Sequence, residues 1–173
     1  NGGKALGLSG ADGSLLQAKP VANSKEVGFV GEVTDVNADL IRGVLDLGYI
    51  PVIAPVGIGA DGAQRYNINA DTAAGAVASA LGVSRMIVVT DVPGILKMTG
   101  TERKVLDSIT VQQIEDMIST GEIYGGMIPK VRAAVACISG SVKEAVIVGG
   151  NEPGVLGKVL AGGRIGTRIV RMA

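Results

Sequence analysis

Short runs of branched apolar residues alternate along this chain with longer amphipathic stretches, and that rhythm restricts it to an α/β fold. Ala5–Leu8, Tyr49–Val56, Arg85–Thr90 and Ala145–Val148 read as strands. Arg85–Thr90 is a nearly unbroken apolar run, the pattern of a strand covered on both faces. Val27–Thr34 reads as a further extended segment, and Tyr66–Ile68 and Thr167–Val170 as short strands. Asp12-Gly13 is a hairpin signal, with Ser14–Lys19 as the returning strand. The spacing predicts a helix over Asn37–Leu47, with Leu40, Ile41, Val44, Leu45 and Leu47 on one face and Gly48 closing it. A second helix runs from Ala70 to Leu81, capped by Asn69 and closed by Gly82. Thr110 and Gln113 stand in capping-box spacing at the head of Thr110–Ser119. Pro129 suits the first position of a helix reaching Ile138, and Val155–Leu160 is a short helix. The expected hinge lies at Gly82–Ser84.

Composition removes many chemistries. There are 173 residues, no histidine and one cysteine, Cys137. A Ser-His-Asp or Cys-His triad, a His-ligated metal and an intrachain disulfide therefore cannot be built from this chain alone. Carboxylates, lysines, arginines, amides and backbone N–H groups remain, a kit suited to positioning and electrostatic catalysis such as phosphoryl transfer. Lys+Arg and Asp+Glu each total 16, so the formal charge is zero, and no basic field exists to displace counterions from a nucleic acid. Aromatic residues make up 2%, too few for base-stacking platforms. Mean hydropathy is +0.40 with 47% hydrophobic residues, which argues for an ordered chain. No apolar run has the length of a membrane span, so a cytoplasmic protein with no membrane or nucleic-acid partner is expected. The first residue is Asn1, and the chain reads as a fragment or a processed product.

Four stretches carry possible chemistry. Gly57-Ile58-Gly59-Ala60-Asp61-Gly62 spells a dinucleotide fingerprint, but the next helix waits until about Asn69, so Asp61-Gly62 reads as a β-turn instead. In Tyr66–Asp71, alternation sends the amides of Asn67 and Asn69 to one side, and Asp71 falls in the first helical turn. Those groups either converge on a ligand or merely cap the helix and complement its dipole. Thr90–Leu96 ends a strand with a hydroxyl, a carboxylate and a Pro-Gly turn. In open α/β sheets ligands collect there, although the segment is also an ordinary strand exit. Gly121–Lys130 places a glycine pair before a helix and a lysine in its first turn. That cation either shares an anion with the helix N–H groups or extends into solvent. Cys137, among Val135, Ala136 and Ile138, reads as a packed, unreactive thiol.

In this order, Gly7–Gly10 with Asp12-Gly13, Tyr66–Asp71, Thr90–Leu96, Gly125–Val131 and Gly166-Thr167 resemble the amino acid kinase superfamily, most closely its branch that phosphorylates N-acetyl-L-glutamate. The resemblance implies a three-layer α/β/α sandwich with a mainly parallel central sheet, truncated at the N-terminus. Residues 1–82 would be the remnant of the amino-acid lobe and 83–173 the nucleotide lobe. It implies transfer of the ATP γ-phosphoryl, with Mg²⁺, to the side-chain carboxylate of N-acetyl-L-glutamate. Asn67 and Asn69 would hold the acceptor. Asp71 would orient the catalytic lysines, and Lys130 would stabilise the migrating phosphoryl group. Thr90, Asp91, Val92, Pro93, Gly94, Ile95, Leu96, Glu122, Ile123, Tyr124 and Gly125 would line the nucleotide. The chemistry suits the residues, since bringing two anions together needs cations and N–H dipoles, while a carboxylate nucleophile needs no base.

Family members are longer. They carry a glycine-rich loop with a second lysine, and a substrate-gripping arginine, that this chain lacks. A weak or inactive kinase is therefore expected, with a self-associating sheet edge and a homo-oligomeric state. Kinases for acetylaminoadipate, aspartate or UMP stay open within the superfamily, as does a non-catalytic nucleotide-binding module; a dinucleotide enzyme is a third, weaker alternative.

Overall fold

The computed structural model describes residues 2–140 and 142–171. The chain divides after Leu81 into two compact units. The first contains β1 (Ala5–Ser9), β2 (Leu16–Pro20), α1 (Ser24–Val27), β3 (Val30–Val36), α2 (Ala38–Asp46), β4 (Ile50–Ala54), β5 (Val56–Ile58), β6 (Arg65–Ile68) and α3 (Ala70–Leu81). The second contains β7 (Arg85–Thr90), β8 (Leu96–Thr99), β9 (Glu102–Val105), β10 (Ser108–Thr110), α4 (Val111–Ser119), α5 (Met127–Ser139), β11 (Glu144–Gly149), α6 (Val155–Leu160) and β12 (Thr167–Val170). Among the described residues no helix is long and apolar enough to cross a membrane.

In the first unit β1 and β4 form a parallel pair, and β2, β3, β6 and β5 close into a small barrel. Leu15, Leu16, Ala18, Ile41, Ile68 and Ala73 form its core, with Leu8 and Ile53 packed against them. The expected hairpin at Asp12-Gly13 does not form. Ser9 donates its N–H to the Asp12 carboxylate, and Gly13 and Ser14 both take positive φ. The chain therefore leaves β1 through a tight turn and joins another sheet as β2. The helix expected over Asn37–Leu47 forms as α2, with Asn37 as the cap that accepts the Leu40 N–H, but only Ile41 and Val44 are buried, while Leu45 and Leu47 are 47% and 74% exposed. Ile50 and Val52 on the outer face of β4 are also exposed, at 59% and 57%. The Asp61-Gly62 turn joins the antiparallel strands β5 and β6. N–H donors of Ala63 and Gln64 hold the Asp61 carboxyl below the usual carboxylate range, the signature of an Asx turn and not of a phosphate loop.

The second unit is built on the sheet β10-β12-β11-β7. Its outer pairings are parallel, and β11 with β12 is antiparallel. Burial on both faces belongs to β11, whose Ala145, Val146, Ile147 and Val148 are all fully buried; α5 packs on it, and α6 supplies Val155 and Val159 against Val146 and Val148. Each large side chain so buried contributes about 1.5–3 kcal/mol. In β7, by contrast, Met86 and Val88 are buried on one face, while on the other Ile87 is half-buried against the α6 cluster and Val89 is exposed, so the second face is covered only in part. A polar cluster fixes the register at the N-terminal ends of β7 and β11. Glu144 accepts from Arg85 and stands 3.6 Å from Arg168, while Arg85 and Arg168 also donate to the carbonyls of Val159 and Gly163.

Cys137 is buried in α5, 3.5 Å from the Met86 sulfur, with its S–H directed at the Ala134 carbonyl. Burial pushes the thiol up from its ordinary value. The native protein is therefore expected to resist alkylation at mildly alkaline pH and to label fully in denaturant, followed by mass spectrometry. Rapid native labelling would contradict this packing.

Candidate functional site

Within the second unit, three segments surround one cavity of about 720 Å³. The first is the exit of β7. Thr90 accepts the N–H of Gly150 on its carbonyl, and the loop turns at Gly94. There a Cβ would come within 2.7 Å of the Thr167 hydroxyl oxygen and 2.8 Å of Val105. Thr167 is fully buried, and its hydroxyl accepts the Ile95 N–H at 2.8 Å. The Gly166-Thr167 pair thus anchors the Asp91–Leu96 loop from the far end of the chain. The second segment is the β8–β9 hairpin, whose base closes through Leu106 N–H to the Ile95 carbonyl at 2.9 Å. The third is the α4–α5 connection. The α4 capping box forms as its spacing predicts, and Ile123, which is buried and lines the cavity, returns its N–H to the Met117 carbonyl.

Ile95, Leu96, Ile123 and Met127 give this cavity apolar walls, with the Tyr124 ring exposed at its rim. Its charged lining is Asp91, Glu122, Arg103 and Lys130. The Thr90 hydroxyl donates to Asp91 at 2.9 Å and the Thr120 hydroxyl to Glu122 at 3.1 Å. An apolar slot with a few placed polar groups is the form of a small-molecule site. Pro129 is the third residue of α5, not the first, since the helix opens at Met127. One expectation needs correcting as a result. The N–H groups of Met127 and Ile128 bond to the carbonyls of Tyr124 and Gly125, and Pro129 has no N–H. The helix end is largely committed within the chain, and the Lys130 ammonium supplies the positive charge there.

The cavity gathers Thr90, Asp91, Val92, Gly94, Ile95, Leu96, Glu122, Ile123, Tyr124 and Lys130. Pro93 and Gly125 are not among its walls. Pro93 borders a neighbouring space of about 420 Å³, and Gly125, at φ 57°, makes the turn into α5. Sequence reasoning assigned no role to Met98, Arg103 or Thr120, although all three line the cavity. For the first two the available signal was the glycine at position 100 between short alternating segments, which marks a hairpin.

In the first unit, Asn67 is exposed on β6 and its N–H bonds to the Phe29 carbonyl at 2.7 Å. Asn69 accepts the Thr72 N–H at 3.1 Å, so it does cap α3. Asp71 is the second residue of α3 and is half-buried.

A family model described as the amino acid kinase family matches residues 1–149. The chain belongs to that family. Among curated members, the acetylglutamate kinase of Geobacillus sp. (strain WCH70) is 50% identical over 149 residues, covering 86% of this chain and 56% of that protein. The acetylglutamate kinase of Syntrophomonas wolfei is 43% identical over 171 residues, covering 98% of this chain and 59% of that protein. The crystal structure of smu.665 from Streptococcus mutans UA159 superposes with a TM-score of 0.82 at 31% identity, over 98% of this chain and 62% of that one. The mixed α/β architecture with parallel strand pairs is thus that of amino acid kinases, and the chain spans less than two thirds of the length of these relatives.

Proposed function

We propose that this chain carries the nucleotide site and part of the acceptor site of an acetylglutamate kinase. The reaction is transfer of the γ-phosphoryl of ATP to the side-chain carboxylate of N-acetyl-L-glutamate, giving an acyl phosphate. The observation that carries this reading is the cavity at the exit of β7, where the Thr90–Leu96 and Gly121–Lys130 motifs meet. Two curated relatives at 43% and 50% identity bear that enzyme's name. The apolar walls suit a base. Lys130 neutralises phosphate charge as it moves to the acceptor, Asp71 orients the catalytic lysines, and Asn67 and Asn69 hold the acceptor. Mg²⁺ enters on the nucleotide. A hard cation of this kind binds mainly through phosphates and water, with few protein ligands. The same reading places this chain in arginine biosynthesis and in the cytoplasm. The uncovered outer face of β4 and the open edge of a two-stranded sheet favour a homo-oligomer.

Titration calorimetry tests the reading. ATP is expected to bind, and Lys130→Ala to weaken it about tenfold or more, the worth of a charge-assisted hydrogen bond. Acetylglutamate is expected to tighten ATP binding, while a coupled assay gives turnover far below that of a full-length relative. Because the chain spans about three fifths of those relatives, a second reading is a nucleotide-binding module without catalysis, and it predicts ATP binding that acetylglutamate leaves unchanged. Absence of any ATP binding would refute both.

A further inference from the structure

The β8–β9 hairpin carries a cation that the recognised motifs do not include. In its register Leu96 faces Val105 and Met98 faces Arg103. Cross-strand partners share a face, so Leu96, Met98 and Arg103 project together, and all three line the cavity. Lys97 and Lys104 face each other on the opposite side, where Lys104 stands 3.7 Å from Glu102. The Arg103 guanidinium has no hydrogen bond or ion pair among the described residues. The hairpin is fixed at its base by the Leu106–Ile95 bond and the buried Thr167 hydroxyl, and turns over Gly100 at φ 65°.

The charges in the cavity say what this guanidinium is for. Asp91 and Glu122 formally cancel Arg103 and Lys130, so the site has no excess of positive charge to spread over a ligand. A nucleotide with several negative charges must meet its cations locally. Arginine presents a planar fork that matches two phosphate oxygens at once, and it gains most where no carboxylate already occupies it. We infer that Arg103 is a second cationic binding residue for the nucleotide phosphates, delivered by the hairpin, while Lys130 acts from α5. This rests on the nucleotide reading of the cavity.

The test is a ladder of ligands that differ only in phosphate number. The whole chain and its variants are titrated with adenosine, AMP, ADP and ATP. Arg103→Ala is expected to weaken ATP by about tenfold to a hundredfold, ADP and AMP by progressively less, and adenosine not at all; unchanged adenosine binding also shows that the variant is folded. Arg103→Lys should recover part of the loss, and Lys104→Ala, on the other face, should leave all four affinities as they were. Wild-type ATP affinity in Arg103→Ala overturns the inference. So does an equal loss for adenosine, which would put the side chain on the base, or an equal loss in Lys104→Ala, which would indicate only a diffuse field. If the wild-type chain binds none of the four, the nucleotide reading falls and the inference with it. If it binds and Arg103→Ala binds equally, only the role of Arg103 falls.

Discussion

Replacing Gly166 with alanine is expected to cost at least about 4 kcal/mol, enough to leave the second unit largely unfolded at ordinary temperature. Gly166 has φ 71°, where an L residue is strained by about 1–2 kcal/mol. The added methyl group would also press on the backbone carbonyl of Ile147 and lie 2.6 Å from a Val148 methyl. Neither obstacle can swing away, because β11 is paired on both sides and fully buried there. Relief would come only by shifting Thr167, whose hydroxyl holds the Ile95 N–H. A variant that survived would therefore lose order in the Asp91–Leu96 loop. Thermal melts followed by circular dichroism give the result, and a midpoint within a few degrees of wild type would show that the backbone at 166 is free to move.

The second large effect is expected at Glu144. Its carboxylate lies between Arg85 and Arg168, and the three side chains are only 20–28% exposed. Glu144→Ala leaves two partly buried guanidinium groups facing each other, at a cost of about 2–4 kcal/mol. For a unit of this size the melting point should fall by roughly 10–20 °C. Glu144→Gln, which keeps the shape and one acceptor, should lose less. The cluster sits at the opposite end of β7 from the cavity, so adenosine affinity below the melting point should stay at the wild-type value. A small shift for Glu144→Ala would mean that water already screens the cluster.

Both effects come from long-range pairings, and this separates what the sequence reveals from what it hides. Local signals were legible. The capping box at Thr110, the Asn69 cap, the Asp61-Gly62 turn and most strand cores are written in a few neighbouring residues. The motif stretches also announced most of the cavity, because each is short and each supplies its own wall. Partner choice was not legible. Nothing near Asp12-Gly13 says that β1 will pair with Ile50–Ala54, far along the chain, and leave the hairpin unmade. Helical periodicity placed Leu45 and Leu47 on an apolar face, but whether that face meets anything is decided by the rest of the fold. Arg103 escaped notice for a related reason. Among Glu102, Lys104 and Lys97 it looks like one more solvated charge, and only the register of the hairpin singles it out.

The division after Leu81 bears on how these experiments should be read. Two units with separate cores have no obligation to lose their structure in one cooperative step, so a calorimetric scan can resolve into two heat-absorption peaks. Substitutions at Gly166 and Glu144 would then move one peak and leave the other in place, and a single fitted midpoint would blur the pair into a modest average. Adding ATP gives the assignment, because a ligand raises only the transition of the unit that holds it.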